Sequence, residues 1–285
     1  MSITYNYDVA KKSLRVNDLL PWIHIFLAIF AYILIALLAS VTTRKIDGNL
    51  KEMKERSSPR VLVVGAIANL CVLATTLMLL RFLDGRPVSA LGFSFSSQDL
   101  IFTIVSIAAI FALAVAFIGF LRRTGRCQVE MHSPVKDMAG TWAMIAGLTV
   151  LLIVAIQEEV LFRGYITLNL LSYGPVVIII VSTILFVAIH LLTNRTNFYQ
   201  IVSWFLGGAV FAYAYLISGS IWVPIMLHFA TDTINMVVFD IVGQYSLFTI
   251  SPSLGERRRA AYRATYAVVL VVAFIVFYGL HIKIG

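Results

Sequence analysis

Charged residues are scarce in this chain, at 13% of 285 residues, against about 25% in ordinary soluble domains. Hydrophobic residues make up 60% of the sequence and come in long unbroken runs rather than with the short period of a soluble core. Such a composition cannot cover a protein with a surface that faces water. A soluble globular fold is therefore excluded, and lipid is the expected solvent.

Cysteine is nearly absent too, and the two that are present lie in unlike surroundings. Cys71 falls in an apolar block and Cys127 in a polar loop, so the sequence predicts neither a disulfide nor a metal-thiolate site. The net charge is +8. In a membrane protein a basic balance usually reflects loops retained in the cytoplasm, so no nucleic-acid partner is predicted.

Apolar blocks long enough to cross a bilayer recur along the whole chain. They fall at residues 20–41, 61–83, 99–121, 141–171, 174–193, 198–217, 221–243 and 262–282. We therefore predict an all-α polytopic membrane helix bundle with about eight transmembrane helices and the lipid bilayer as its surroundings. The fourth block is longer than one crossing needs, which predicts a tilt or a break within it.

Lys and Arg are concentrated in the first, third, fifth and seventh loops between these blocks. Positively charged loops are retained on the cytoplasmic side of a membrane, so both termini are predicted to lie outside the cytoplasm. We divide the chain into an N-terminal three-span region at 1–140, a central region at 141–245, and a C-terminal loop with the last span at 246–285.

A few ionisable side chains interrupt the apolar blocks, and each costs about 2.5–3.5 kcal/mol at the centre of a bilayer helix. Such residues mark functional sites in membrane proteins. They are Glu158, Glu159 and Arg163 in the fourth block, His190 in the fifth, and His228, Asp232 and Asp240 in the seventh.

In a helix, Glu159 and Arg163 are four residues apart and share a face, with the acid on the N-terminal side that favours an ion pair. Glu158 points about 100° away around the helix axis and cannot share this partner equally. It is then left to handle a proton or a water molecule. The alternative is that all three residues form one packing network without chemistry.

Two further blocks contribute polar groups. His190 follows Phe186 by four residues and shares its face, although alone it is read equally well as a hydrogen-bonded core histidine. His228, Asp232 and Asn235 form a polar stripe on one helix, for which the alternative is hydrogen bonding between helices. Three helices can thus bring a carboxylate and two imidazoles to one pocket. These groups can activate water and stabilise the oxyanion that forms when a peptide carbonyl is attacked.

The motifs resemble those of the CPBP membrane protease family, which contains type II CAAX prenyl endopeptidases and the Abi-like bacteriocin-processing and bacteriocin-immunity proteins. The similarity covers residues 150–240, about a third of the chain. The matching motifs follow the family's order and are Glu158-Glu159-x-x-x-Arg163, Phe186-x-x-x-His190 and His228-x-x-x-Asp232. We expect an integral protein of a bacterial or archaeal cytoplasmic membrane.

This resemblance implies that Glu158 and His190 hold and deprotonate the attacking water, while His228 and the residue at 232 form the oxyanion site. It also implies that Glu159 and Arg163 are a supporting pair. Family members related to the prenyl proteases often have Asn where this chain has Asp232.

An ionised Asp cannot donate a hydrogen bond to an oxyanion. Either Asp232 is protonated, or it orients His228 and leaves donation to that ring or to Asn235.

The expected activity is intramembrane endopeptidase hydrolysis of hydrophobic or membrane-bound peptides. No cofactor is expected to be required; a carboxylate with two histidines could bind zinc, but this is not favoured. The chain lacks His-Glu-x-x-His, Gly-x-Gly-Asp and Gly-x-Ser-Gly motifs, which disfavours the metallo, aspartyl and serine classes. The alternatives are a non-enzymatic immunity or signalling regulator on the same scaffold, and a transporter with a Glu–His proton relay.

Two features are predicted to have no chemical role. Gly207 and Gly208 are read as small residues that let neighbouring helices approach closely. Trp204 is read as an aromatic anchor at the membrane interface.

Overall fold

The computed structural model describes residues 19–47, 59–131, 138–193, 196–239, 247–252 and 255–279. Asp240 lies outside these ranges. The α-helices are α1 Leu20–Asp47, α2 Pro59–Met78, α3 Ser97–Arg123, α4 Met138–Glu159, α5 Ile166–Leu170, α6 Pro175–Thr193, α7 Phe198–Ser218, α8 Trp222–Asp232 and α9 Glu256–Tyr278. The predicted all-α membrane bundle is confirmed.

Shorter elements complete the bundle. The π-helices Leu79–Leu83, Val160–Tyr165 and Thr233–Val238 directly continue α2, α4 and α8, and the 3₁₀ turns are Val88–Leu91 and Leu171–Tyr173. The second π-helix changes the hydrogen-bond pattern within the fourth block but joins α4 directly to α5, so the predicted tilt or break stays a prediction. Two short strands, β1 Gln128–Met131 and β2 Phe248–Ser251, pair antiparallel in a ribbon that the sequence analysis did not predict.

Within the described part of the chain, seven helices are long and apolar enough to cross a membrane. The predicted crossing at 221–243 is not among them. It forms α8, with 11 residues, and the π-helix Thr233–Val238, with 6. This helical run is shorter than the roughly 20 residues that a crossing ordinarily needs.

Contacts between the loops nevertheless show that α8 leads the chain from one end of the bundle to the other. The β ribbon joins the loop after α3 to the loop before α9, and we call this end the ribbon end. At the far end, the Tyr278 hydroxyl donates to Asp99 at the start of α3, at 2.7 Å. The Ile221 amide donates to Gly92, just before α3, at 2.9 Å. α8 therefore starts at the far end and must traverse the bundle to reach β2.

Over the residues that the structure describes, the chain thus traverses the bundle eight times, and α1 starts at the same end at which α9 finishes. The described helix ends that flank the loops assigned to the cytoplasm by the sequence analysis lie at the ribbon end. Which end faces the cytoplasm stays a prediction, as do the proposed domain boundaries.

Two hydrophobic clusters lie inside the bundle. One is formed mainly by α3, α7, α8 and α9, and the other by α1, α2, the π-helix after α4 and α6. Apolar side chains on the outer faces remain exposed to lipid. Arg163, one of the polar residues singled out by the sequence analysis, lies where the two clusters meet.

Candidate active site

The Arg163 guanidinium is fully buried at the junction of the two hydrophobic clusters. It donates to Glu159 Oε1 at 2.8 Å and to the Gly208 carbonyl at 3.2 Å. Its Cζ atom lies 4.6 Å from the ring centre of Phe186 and 5.7 Å from that of Phe211, which belong to different clusters. The ion pair expected from the four-residue spacing is present, and it links α4, α6 and α7.

The same Glu159 oxygen orients the ring of His228. His228 Nδ1 lies 2.8 Å from Glu159 Oε1, and the ring stacks on Phe211 at 5.2 Å between centres. Glu159 is paired with Arg163 and is therefore an ionised carboxylate, which only accepts hydrogen bonds. We therefore assign a proton to Nδ1 of His228, which donates to Glu159. His228 Nε2 then faces Asp232 Oδ2 at 3.4 Å and Glu158 Oε2 at 3.9 Å.

His190 is held by its own helix. Its Nδ1 lies 2.9 Å from the Phe186 carbonyl, and its ring packs between Phe186 and Trp204, with centres 4.3 and 4.9 Å away. A carbonyl only accepts hydrogen bonds, so Nδ1 bears the proton and Nε2 of the neutral ring is an acceptor. His190 Nε2 faces Glu158 Oε1 at 3.8 Å.

Glu158 thus lies between the two imidazoles, with its side chain 8% exposed. Separations of 3.8 and 3.9 Å are too long for direct hydrogen bonds. They suit groups that are bridged by a small polar molecule such as water. The structure brings Glu158, His190 and His228 together as the sequence analysis expected.

A cavity of about 120 Å³ adjoins this cluster and has room for several water molecules. Asp232 is part of its wall, with a side chain 33% exposed. Asn235 also lines it, and its Oδ1 atom has no hydrogen-bond partner within the described residues. The lining residues are Phe186, His190, Ser203, Trp204, Gly207, Phe211, His228, Thr231, Asp232, Asn235, Arg263 and Tyr266. Most lie in the halves of their helices nearer the ribbon end.

The sequence analysis did not assign several of these wall residues to the site. Trp204 was predicted to be an interfacial anchor, which stays a prediction, and its ring packs against His190. Gly208 does allow a close approach, since a Cβ there would lie 3.0 Å from Thr183, whereas a Cβ at Gly207 would meet nothing within 4 Å. Gly207 therefore leaves the cavity open rather than bringing helices together.

Arg263 was missed because the predicted last block began at residue 262, which made this arginine a span-edge residue. α9 instead begins at Glu256, so Arg263 lies about two turns inside the helix and reaches the cavity. The signal available in the sequence was a charged residue, Arg263, inside the predicted apolar block at 262–282.

Among the residues that the structure describes, no three or more His, Cys, Asp or Glu side chains are grouped so that they could hold a metal ion.

Comparison with known proteins finds a family that this region resembles. Residues 140–234, about a third of the chain, match the family described as type II CAAX prenyl endopeptidase Rce1-like. The match includes Glu158, His190 and His228 and ends before the last helix. No curated protein and no solved structure matches the chain.

Proposed function

We propose that this chain is a glutamate-dependent intramembrane endopeptidase, because residues 140–234 match the family described as type II CAAX prenyl endopeptidase Rce1-like. Its substrates are hydrophobic or membrane-associated peptides. The observation that supports this best is the position of Glu158 between the Nε2 atoms of His190 and His228, at 3.8 and 3.9 Å.

Glu158 and His190 are the pair that activates water. A water molecule between them donates one hydrogen bond to the Glu158 carboxylate and the other to His190 Nε2, whose acceptor state is fixed by the Phe186 carbonyl. This geometry directs a water lone pair away from both bases and toward a bound substrate. The buried, largely apolar surroundings strengthen both interactions.

His228 is the oxyanion donor in this proposal. Three carboxylates, those of Glu158, Glu159 and Asp232, surround its ring and favour the doubly protonated form, in which Nε2 also carries a hydrogen. Asp232 then acts as an ionised group that orients the ring, the second of the two alternatives drawn from the sequence. Asn235 Oδ1 can accept a backbone N–H of the substrate.

Hydrolysis follows in two steps. The water oxygen bonds to the carbonyl carbon while its proton passes to Glu158, and the oxyanion accepts a hydrogen bond from His228. The C–N bond then breaks, and Glu158 returns the proton to the leaving amine. The products are one new carboxyl group and one new amino group, and Glu158 is again a carboxylate.

No metal takes part in these steps. Activity of the purified protein should therefore survive incubation with a chelator such as 1,10-phenanthroline. Loss of activity that zinc restores would contradict the metal-free mechanism.

The test of the proposed function is the membrane peptidome of cells that produce wild-type protein compared with cells that produce E158Q. Glu130 on β1 is exposed and lies outside the cavity wall, so E130Q is a matched carboxylate-to-amide control. We expect peptide fragments that occur with wild type and E130Q and disappear with E158Q.

Identical peptidomes from all three proteins would overturn the proposal. A biological effect that persists in E158Q and in H190A would instead indicate a regulator without catalytic activity. Proton-coupled flux in proteoliposomes would indicate a transporter.

A further inference from the structure

Arg263 is a charged residue in the cavity wall that the proposed hydrolysis does not use. It lies on α9, one turn before Tyr266, and lines the same cavity as His228 and Asp232. α9 begins at Glu256, so Arg263 lies about 10 Å along the axis from the ribbon end. The residue is half-buried, and its position lies outside the family match.

The contacts of the described residues leave the Arg263 guanidinium available to a ligand. Among the described residues, it has no carboxylate at ion-pairing distance, and Asp232, the acid in the same wall, lies beside His228 Nε2 at 3.4 Å. A cation on a membrane helix is costly and typically faces a partner or a water-filled cavity. Its planar set of N–H donors matches the two oxygens of a carboxylate.

The first turns of α9 increase the positive potential near this cavity. Arg257 and Arg258 are exposed in the first turn, and Arg259 is four residues before Arg263 on the same helix face. Positive side chains that lie this close together add to the potential that an approaching anion meets. The ribbon end of α9 thus attracts negatively charged groups toward the cavity.

We propose that Arg263 is a specificity-determining residue that binds a carboxylate of the peptide substrate, either the free C-terminus or an acidic side chain. This rests on the proposed peptidase function. Because Arg263 and His228 line one small cavity, the bound carboxylate lies within a few residues of the cleaved bond. Arg263 acts on substrate choice and not on water activation.

The test measures binding, so that it does not depend on turnover. E158Q in nanodiscs of zwitterionic phosphatidylcholine is titrated into N-terminally labelled nonapeptides of randomised Ala, Val, Leu, Ile and Phe sequence. The peptides are made as free acids, as C-terminal amides, and as amides with Asp at the last position. Fluorescence anisotropy gives the affinity for each pool, and empty nanodiscs correct for partition into lipid.

E158Q should bind the free acids about 10- to 100-fold more tightly than the amides, the range for hydrogen bonds to a charged group. This preference should fall below about threefold in E158Q/R263Q and persist in E158Q/R258Q, the matched surface control. R263K keeps the charge without the planar fork and should retain part of the preference. If the Asp-terminated amides also bind tightly, the recognised carboxylate can be that of a side chain.

Equal affinity for acids and amides in E158Q would overturn the proposal, as would a preference that survives R263Q. So would the absence of saturable binding. If the role of Arg263 is purely structural, E158Q/R263Q should bind the free acids and the amides more weakly by the same factor, which would also overturn the proposal. Cleavage by the wild-type protein without an acid preference would refute the role of Arg263 alone, whereas an Arg263-dependent preference without any cleavage would refute the peptidase function alone.

Discussion

Breaking the buried ion pair between Glu159 and Arg163 should destabilise the bundle strongly. Replacing Arg163 by Met keeps an apolar side chain of similar length but leaves the Glu159 carboxylate buried without its cation. Breaking a buried pair in this way costs about 3–5 kcal/mol of unfolding free energy. Loss of the cation–π contact with Phe186, at 4.6 Å, adds about 0.5–2 kcal/mol.

The second variant, E159Q/R163M, removes both charges and tests the origin of this loss. Gln at 159 can still accept the hydrogen bond from His228 Nδ1, and no unpaired charge remains. The double substitution should therefore cost about 1–3 kcal/mol less than the sum of E159Q and R163M. R163K should fall between R163M and wild type, because Lys keeps the charge but loses the fork.

Unfolding free energies can be measured by SDS titration in mixed micelles, followed by the loss of helical circular dichroism. All four variants and the wild type are compared at the same detergent composition. An R163M protein within about 1 kcal/mol of wild type would refute the account of the ion pair. Strict additivity of the two single substitutions would refute it as well.

Three smaller predictions follow from the glycines. The Gly208→Ala protein should be less stable than the Gly207→Ala protein by about 1–3 kcal/mol in the same titration, because only at 208 does the new Cβ approach Thr183, at 3.0 Å. The two substitutions gain the same helix propensity, so the difference reports the contact. Gly207→Phe should fill the cavity and abolish peptide binding with an unchanged melting temperature; retained binding would contradict the open wall at 207. Gly92→Ala should lose about 2–4 kcal/mol, since φ is +75° and the new Cβ would lie 2.4 Å from the Gly219 carbonyl oxygen; wild-type stability would show that the loop can move aside.

The sequence predicted the local parts of this architecture well. The Glu159–Arg163 pair follows from helical spacing within one segment, and seven of the described traversals follow from the lengths of the apolar blocks. The traverse by α8 could not be predicted from length, because its helical run is too short to cross a membrane and hydropathy does not show at which end of the bundle it finishes. Its traverse becomes evident only from loop contacts such as that of Ile221 with Gly92.

Contacts between helices could not be predicted in the same way. Two adjacent glycines look alike in the sequence, and only the packing of α6 against α7 separates a close contact at Gly208 from an open wall at Gly207. Arg263 and Trp204 reach the cavity because of how their helices rotate against neighbours. That rotation depends on side chains distant in the chain, so no local pattern reports it.

The central claim is that Glu158 is the base that activates water. Its most direct test is the rate at which E158Q in proteoliposomes cleaves a peptide that the wild-type protein cleaves. The substitution keeps the shape of the side chain and removes its ability to take a proton. Loss of a general base predicts a fall in kcat of about 10²- to 10⁴-fold, with melting temperature and peptide affinity near those of wild type. An E158Q protein that cleaves within about tenfold of the wild-type rate would contradict the claim.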